Sequence, residues 1–132
     1  MGAFDGLVAL VVEKDDALRK LLRMVLEHDG MTVLVARNGE EACNVFSAWR
    51  RRLDLLVMDL ETAGNGAPLA ERILGVAPRV RVLVTTVEAD RSLQQQVSKA
   101  GWVLVDKPFR IQTLRRECLQ LLCDRLHSAA SL

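Results

Sequence analysis

The stretch VALVVEKDDALRKLL, residues 8–22, decides the fold. Five apolar residues stop abruptly at four charged ones, Glu13 to Asp16, and apolar residues then return at helical spacing. A strand without polar alternation is typical of a strand that is covered on both faces. After it, one apolar stripe of a helix is formed by Leu18, Leu21, Leu22, Val25 and Leu26. The stretch therefore predicts a buried strand, a charged turn and an amphipathic helix.

The same strand and helix pattern repeats along the chain. Short runs rich in Val and Leu predict strands at residues 7–12, 32–36, 54–58, 80–85 and 102–105. Between them, spacing near 3.6 predicts helices at residues 16–28, 39–49, 67–76, 89–100 and 111–126, with Asn38 as the N-cap of the second. Strands that alternate with helices favour a doubly wound α/β fold with a five-stranded parallel sheet.

The composition narrows the class of protein. The chain has 132 residues, which is the size of one domain, and we expect a single domain over residues 1–132 with a core at about 6–126. A net charge of +1 provides no strong field to attract nucleic acid. The three cysteines suggest neither a disulfide framework nor a zinc site. No apolar run is long enough for a membrane span, so we expect a cytoplasmic protein without membrane or nucleic-acid partners.

Polar residues follow the predicted strands at the point where each strand ends. Glu13 and Lys14 follow the first strand, and Asp59 follows the third. Thr85 closes the fourth strand, and Lys107 comes just after the fifth. In doubly wound folds the ligand crevice lies beyond the carboxyl ends of the strands. We therefore expect these side chains to meet in one crevice that suits an anionic, phosphoryl-sized ligand.

Four marks in this order carry a family resemblance. They are the acidic Glu13, LLVMD with Asp59, VLVTT with Thr85, and DKPF with Lys107. With them, the chain resembles the receiver domain of two-component response regulators over nearly its whole length. The resemblance implies a flavodoxin-like fold of five strand and helix pairs with strand order 2-1-3-4-5.

The resemblance also implies a function. Asp59 would accept a phosphoryl group from a phosphohistidine of a histidine kinase or a phosphotransfer protein, while Thr85 and Lys107 contact the phosphoryl oxygens. Leu104 stands where the family often has an aromatic switch residue, and a cis bond is implied before Pro108. Such a module is not an enzyme. Its output would be a changed protein contact, including a homodimer through the fourth helix, fifth strand and fifth helix.

The resemblance implies a magnesium ion held by Glu13, Asp59 and the backbone carbonyl of Thr62. Lys14, however, stands where the family carries the second acid of a pair. The two carboxylates and the ammonium groups of Lys14 and Lys107 then sum to zero, whereas three acids and one lysine would give about −2. At ~4 Å and an effective dielectric of ~20, two unit charges interact by roughly 4 kcal/mol. We therefore expect magnesium to bind weakly.

Two local assignments stay open in the sequence. Asp15 belongs to the same charged turn, where it either reaches the pocket or caps the first helix, and the second role is favoured by its position before that helix. Lys14 either points to solvent or reaches the pocket and pairs with Asp59 or Glu13.

Three functions are compatible with the sequence. The first is a receiver that is phosphorylated on Asp59, and the second is a pseudo-receiver that docks or dimerises without phosphorylation because Lys14 replaces a metal-binding acid. The third is a small flavodoxin-like nucleotide-binding protein or enzyme. The chain has no P-loop and no G-x-G-x-x-G turn after its first strand, which disfavours the third.

Overall fold

The computed structural model of the chain describes residues 4–49, 52–64 and 67–130. In this part of the chain five strands alternate with five helices: β1 Val8–Val12, α1 Asp16–His28, β2 Thr32–Ala36, α2 Gly39–Trp49, β3 Leu55–Asp59, α3 Ala67–Val76, β4 Arg81–Thr86, α4 Arg91–Ala100, β5 Val103–Asp106 and α5 Ile111–Ala130. The strands form one parallel sheet in the order β2-β1-β3-β4-β5. The expected doubly wound fold and strand order are confirmed.

Alternate residues of the central strands pack on opposite faces of the sheet. In β1, Ala9 and Val11 face the core formed with α1 and α5, whereas Val8, Leu10 and Val12 face the core formed with α2 and α3. All five residues are buried because helices cover both faces. This double cover is why the sequence of β1 shows no polar alternation. Burying each leucine or valine contributes roughly 1.5–3 kcal/mol relative to exposure, so the sheet is held from both sides.

The strand ends extend beyond the apolar runs. The predicted third, fourth and fifth strands each stopped one residue too early, at residues 58, 85 and 105 instead of 59, 86 and 106. Backbone pairing continues through the polar residues, since Asp59 is in register with Thr85 and Thr86 is in register with Asp106. Asp59 is thus part of β3, and the sheet fixes its position directly.

Two helix boundaries also differ from the prediction. α4 begins at Arg91 rather than at residue 89, because the Asp90 side chain accepts the N–H of Leu93 and caps the helix. α5 continues to Ala130, past the predicted end at residue 126. No helix in the described part of the chain combines the length and the apolarity that a membrane span requires.

The inward face of α1 is narrower than the predicted stripe. Leu22 and Leu26 are buried, as expected. Leu21 is 42% exposed and Met24 is 66% exposed, so the assignment of Leu21 to the inward stripe was wrong. Successive residues are 100° apart around the helix axis, so Leu21 points away from the side on which Leu22 contacts the sheet.

Asp15 caps α1. Its backbone is extended and its Oδ1 accepts the N–H of Leu18 at 2.8 Å, which confirms the capping assignment. We expect Asp15→Ala to lower the free energy of unfolding by about 1 kcal/mol, because an N–H of the first turn then loses its partner. Asp15→Asn keeps the acceptor oxygen and should retain most of the stability. Urea denaturation of the two variants checks this, and equal losses in both would contradict the capping role.

Candidate functional site

One ammonium group bridges two buried carboxylates at the carboxyl edge of the sheet. Glu13 directly follows β1, Asp59 ends β3, and Lys107 directly follows β5. Lys107 Nζ lies 2.6 Å from Glu13 Oε1 and 2.9 Å from Asp59 Oδ1. Glu13 is 2% exposed and Asp59 is 3% exposed, so the ammonium group balances charges that water does not reach. The sheet therefore brings together three of the residues that the sequence assigned to one crevice.

Both oxygens of the Asp59 carboxylate accept hydrogen bonds. Oδ1 faces the Lys107 ammonium group, and the Thr85 hydroxyl lies 3.5 Å away, at the outer limit of a hydrogen bond. Oδ2 accepts the N–H of Thr62 at 3.0 Å and the hydroxyl of Thr62 at 2.6 Å. The second distance is typical of a hydroxyl that donates to an ionised carboxylate.

These contacts favour the charged forms of Asp59 and Lys107. Burial alone would raise the pKa of the Asp59 carboxyl, but hydrogen bonds from Thr62 and Lys107 outweigh it and lower this pKa below its usual value. Burial alone would lower the pKa of Lys107, but the hydrogen bonds and negative charges of Glu13 and Asp59 raise it. At neutral pH the site therefore holds an Asp59 carboxylate beside a Lys107 ammonium group.

The loop between β1 and α1 is held mainly by its backbone. Glu13 Oε2 accepts the N–H of Asp15 at 3.0 Å, and the guanidinium group of Arg19 donates to the Glu13 carbonyl at 3.0 Å. The N–H of Lys14 donates to Thr62 Oγ1 at 3.1 Å. Asp15 thus contacts the site through its N–H, while its carboxylate caps α1.

The side chain of Lys14 is exposed and forms no ion pair with any residue that the structure describes. The sequence left open whether this side chain points to solvent or pairs with Asp59 or Glu13, and in the structure it points to solvent. The cation that pairs with Glu13 and Asp59 is Lys107 instead. Lys14 contributes a positive charge at the rim of the site and an N–H within it.

Thr62 has a role that the sequence reasoning missed. It was assigned only a metal-binding carbonyl, which stays a prediction, whereas its N–H and hydroxyl are the groups that contact Asp59. An acidic side chain that accepts an N–H three residues further on is the local motif used at helix N-caps. The spacing Asp59-x-x-Thr62 was the signal for this contact.

Glu61 is a second residue that the sequence reasoning missed. Its Oε1 accepts the hydroxyl of Thr86 at 2.6 Å and the N–H of Val87 at 3.0 Å. These bonds tie the loop after β3, which follows Asp59, to the end of β4 and the start of the loop after it. No pattern in the sequence pairs an exposed glutamate with a buried threonine 25 residues away.

The remaining predicted site residues lie around this centre. Leu104 is half-buried in β5 and packs against the core that the sheet forms with α2 and α3. The bond between Lys107 and Pro108 is cis, as the resemblance implied. Pro108 lines an open groove of about 480 Å³ beside the site, and the other residues of that groove are Asp15, Leu18, Val87, Lys107 and Phe109.

The residues present do not form a magnesium site of the usual kind. Among the described residues no three acidic, histidine or cysteine side chains are grouped closely enough to hold a metal ion. Glu13 and Asp59 are only two carboxylates, and the Lys107 ammonium group already lies between them. Magnesium prefers several oxygen ligands with net negative charge, which this arrangement does not provide.

Comparison with known proteins identifies relatives in signalling. The chain is 29% identical over 107 residues to the autoinducer 1 sensor kinase/phosphatase LuxN of Vibrio campbellii. The aligned stretch covers 80% of this chain and 12% of LuxN. It is 26% identical over 108 residues to sporulation initiation phosphotransferase F of Bacillus subtilis, covering 80% of this chain and 86% of that protein. The chain thus spans only about an eighth of LuxN but most of the second relative.

A solved structure of a receiver domain is also similar to this chain. The non-phosphorylated HemR receiver domain of Leptospira biflexa superimposes with a TM-score of 0.80 at 28% identity, covering 88% of this chain and 94% of that one. The family model described as the response regulator receiver domain matches residues 9–118. The chain therefore belongs to the response regulator receiver domain family.

Proposed function

We propose that Asp59 accepts a phosphoryl group from a phosphohistidine of a histidine kinase or a phosphotransfer protein, and that this modification changes the protein contacts of the chain. The observation that carries the proposal is the position of the Asp59 carboxylate at the end of β3, with the Lys107 ammonium group 2.9 Å from its Oδ1. Hydrogen bonds from Thr62 and Lys107 also lower the pKa of this carboxyl. Receiver domains interact with histidine kinases and phosphotransfer proteins, and they are in general signalling modules rather than enzymes.

The chemistry of the step fits the residues present. An oxygen of Asp59 attacks phosphorus, the bond from phosphorus to the donor imidazole breaks, and the imidazole leaves with a proton from solvent. Phosphoryl transfer depends mainly on positioning and on neutralising charge on the transferred group. Lys107 supplies the nearest cation, and the hydroxyl of Thr85 is close enough to turn toward a phosphoryl oxygen. Receiver domains typically use Mg²⁺ in this step, but no part of the step described here depends on it.

Several further assignments belong to this proposal. We place one receiver domain over residues 1–132, with its core at about 6–126 and its site of action in the cytoplasm. The surface formed by α4, β5 and α5 would carry the output, including a homodimer, and Leu104 would report the state of the site to that surface. LuxN is a sensor kinase/phosphatase and the Bacillus relative is a phosphotransferase, which supports a kinase and a phosphotransfer protein as the two partner classes.

A second candidate function is a receiver that works without phosphorylation. It is favoured by one observation, namely that Lys107 already neutralises Glu13 and Asp59 while Thr62 occupies the other oxygen of Asp59. Such a site is satisfied without any ligand. The chain would then be a docking or dimerisation module with one fixed conformation.

The two candidates differ in one measurable outcome. Incubation with a small phosphodonor, with magnesium in one sample and with a chelator in another, should add about 80 Da to the chain. The adduct should be absent from Asp59→Asn and present in Asp106→Asn, which alters an exposed aspartate at the end of β5 as a matched control. An unmodified wild-type chain in both samples would reject phosphoryl acceptance and leave the second candidate.

A further inference from the structure

We infer that Thr62 is a positioning residue whose hydroxyl holds Asp59 in a closed state and slows the acceptance of a phosphoryl group. The inference rests on the proposed function of Asp59 and assigns a restraint to it. It follows from three hydrogen bonds of Thr62: its N–H and its hydroxyl both donate to Oδ2 of Asp59, and its Oγ1 accepts the N–H of Lys14 in the loop after β1.

The direction of each hydrogen bond at the Thr62 hydroxyl is fixed. The N–H of Lys14 lies 3.1 Å from Oγ1 and can only donate, so Oγ1 is the acceptor in that contact. The single proton of the hydroxyl is then left for Asp59 Oδ2, which lies 2.6 Å away. Thr62 therefore acts as a relay that connects the backbone of the β1–α1 loop to the carboxylate.

These contacts occupy the electron pairs that an attack on phosphorus requires. A carboxylate oxygen has about two lone-pair positions, and Oδ2 of Asp59 uses both on the N–H and the hydroxyl of Thr62. Oδ1 faces Lys107 and the hydroxyl of Thr85. One of its two contacts must therefore open before Oδ2 can form a bond to phosphorus.

Of the two contacts at Oδ2, the Thr62 hydroxyl is the one that opens more easily. The Lys107 ammonium group is held by two carboxylates at once, and the N–H of Thr62 is fixed by the backbone of the loop. The hydroxyl needs only a rotation about one side-chain bond. Once Oδ2 is bonded to phosphorus it no longer carries the charge that made it a strong acceptor, so the Thr62 hydroxyl no longer holds it.

The test compares two variants of Thr62 with the wild type. Thr62→Val keeps the branched shape and removes the hydroxyl, while Thr62→Ser keeps the hydroxyl. With a small phosphodonor in excess, we expect the initial rate of adduct formation to rise about tenfold in Thr62→Val, since the loss of one hydrogen bond to a charged group amounts to that order. Thr62→Ser should label at the wild-type rate.

A pH profile separates positioning from a general loosening of the loop. The reaction needs the Asp59 carboxylate, and the Thr62 hydroxyl is one of the groups that lower the pKa of that carboxyl. In Thr62→Val the fall in rate on acidification should begin at a higher pH than in the wild type. The pH profile of Thr62→Ser should coincide with that of the wild type. A carbon-13 NMR titration of the Asp59 carboxyl follows the same shift in the unmodified proteins.

The outcomes distinguish this inference from the proposed function. Equal labelling rates with coincident pH profiles in all three proteins would overturn the role of Thr62 and leave Asp59 as the acceptor. A slower Thr62→Val would overturn the restraint as well. The absence of an adduct from all three proteins would overturn the proposed function and the restraint with it, whatever the NMR titration shows.

Discussion

Replacing Lys107 with methionine is expected to lower the free energy of unfolding at neutral pH by about 3–5 kcal/mol, because removing one partner of a buried ion pair leaves the other charge uncompensated. Here two charges lose their partner, since the Lys107 ammonium group lies 2.6 Å from Glu13 and 2.9 Å from Asp59. Methionine keeps most of the apolar stem, so the loss reports charge rather than packing. Urea denaturation followed by circular dichroism measures the difference.

The loss should depend on pH with a defined sign. The pKa of Asp59 is lowered in the folded protein, so its stabilising contribution is complete above the unfolded value of about 3.9 and is lost as pH falls through the lower folded value. The pKa of Lys107 is raised, so its contribution is complete below the unfolded value of about 10.4 and is lost as pH rises through the higher folded value. The gap between wild type and Lys107→Met should therefore be widest near neutral pH.

Two controls accompany this prediction. Lys20→Met removes an exposed lysine of α1 and should change the free energy of unfolding little. Adding Glu13→Gln to Lys107→Met should recover part of the loss, because one of the two unpaired buried charges is then removed. If Lys107→Met were no less stable than Lys20→Met, the three charged side chains would not act as one unit.

The second large effect concerns magnesium. Lys14→Asp should tighten magnesium binding by about a hundredfold or more, since two unit charges at ~4 Å and an effective dielectric of ~20 interact by roughly 4 kcal/mol and each 1.4 kcal/mol is tenfold. The substitution replaces an ammonium group at the rim of the site with a carboxylate directly after Glu13. This would restore the acidic pair that the resemblance to receiver domains implies at these two positions. Isothermal titration calorimetry with magnesium chloride measures both affinities.

Lys20→Asp serves as the matched control for the change in net charge. It makes the same exchange at an exposed position of α1, six residues further along the chain, and should leave magnesium binding as weak as in the wild type. Equal affinities in wild type and Lys14→Asp would show that Lys14 is not what limits the metal.

The sequence predicts the sheet and the centre of the site well because both depend on patterns that the chain repeats. Fully apolar runs require cover on both faces, and β1 and β3 are buried along their whole length. Parallel strands bring their carboxyl ends to one edge, which is why Glu13, Asp59 and Lys107 meet. Strand ends were placed less well, because backbone pairing continues past the last apolar residue.

The contacts that tune the site could not be predicted, because they depend on side-chain direction in loops. Lys14 and Lys107 both follow strands, and nothing in their spacing shows that only the second turns inward. The hydroxyl of Thr62 and the carboxylate of Glu61 lie in the loop after β3, whose neighbours are fixed only when the whole sheet is assembled. The hydroxyl of Thr62 holds the carboxylate of Asp59, and Glu61 ties the loop after β3 to the end of β4.

Locating the modified residue tests most directly whether Asp59 accepts the phosphoryl group. Borohydride reduces an acyl phosphate of aspartate to homoserine, and peptide mapping by mass spectrometry then locates the homoserine. After treatment with a phosphodonor, we expect homoserine at position 59 and at no other aspartate. Homoserine at another position, or an Asp59 that stays unmodified while the donor is consumed, would contradict it.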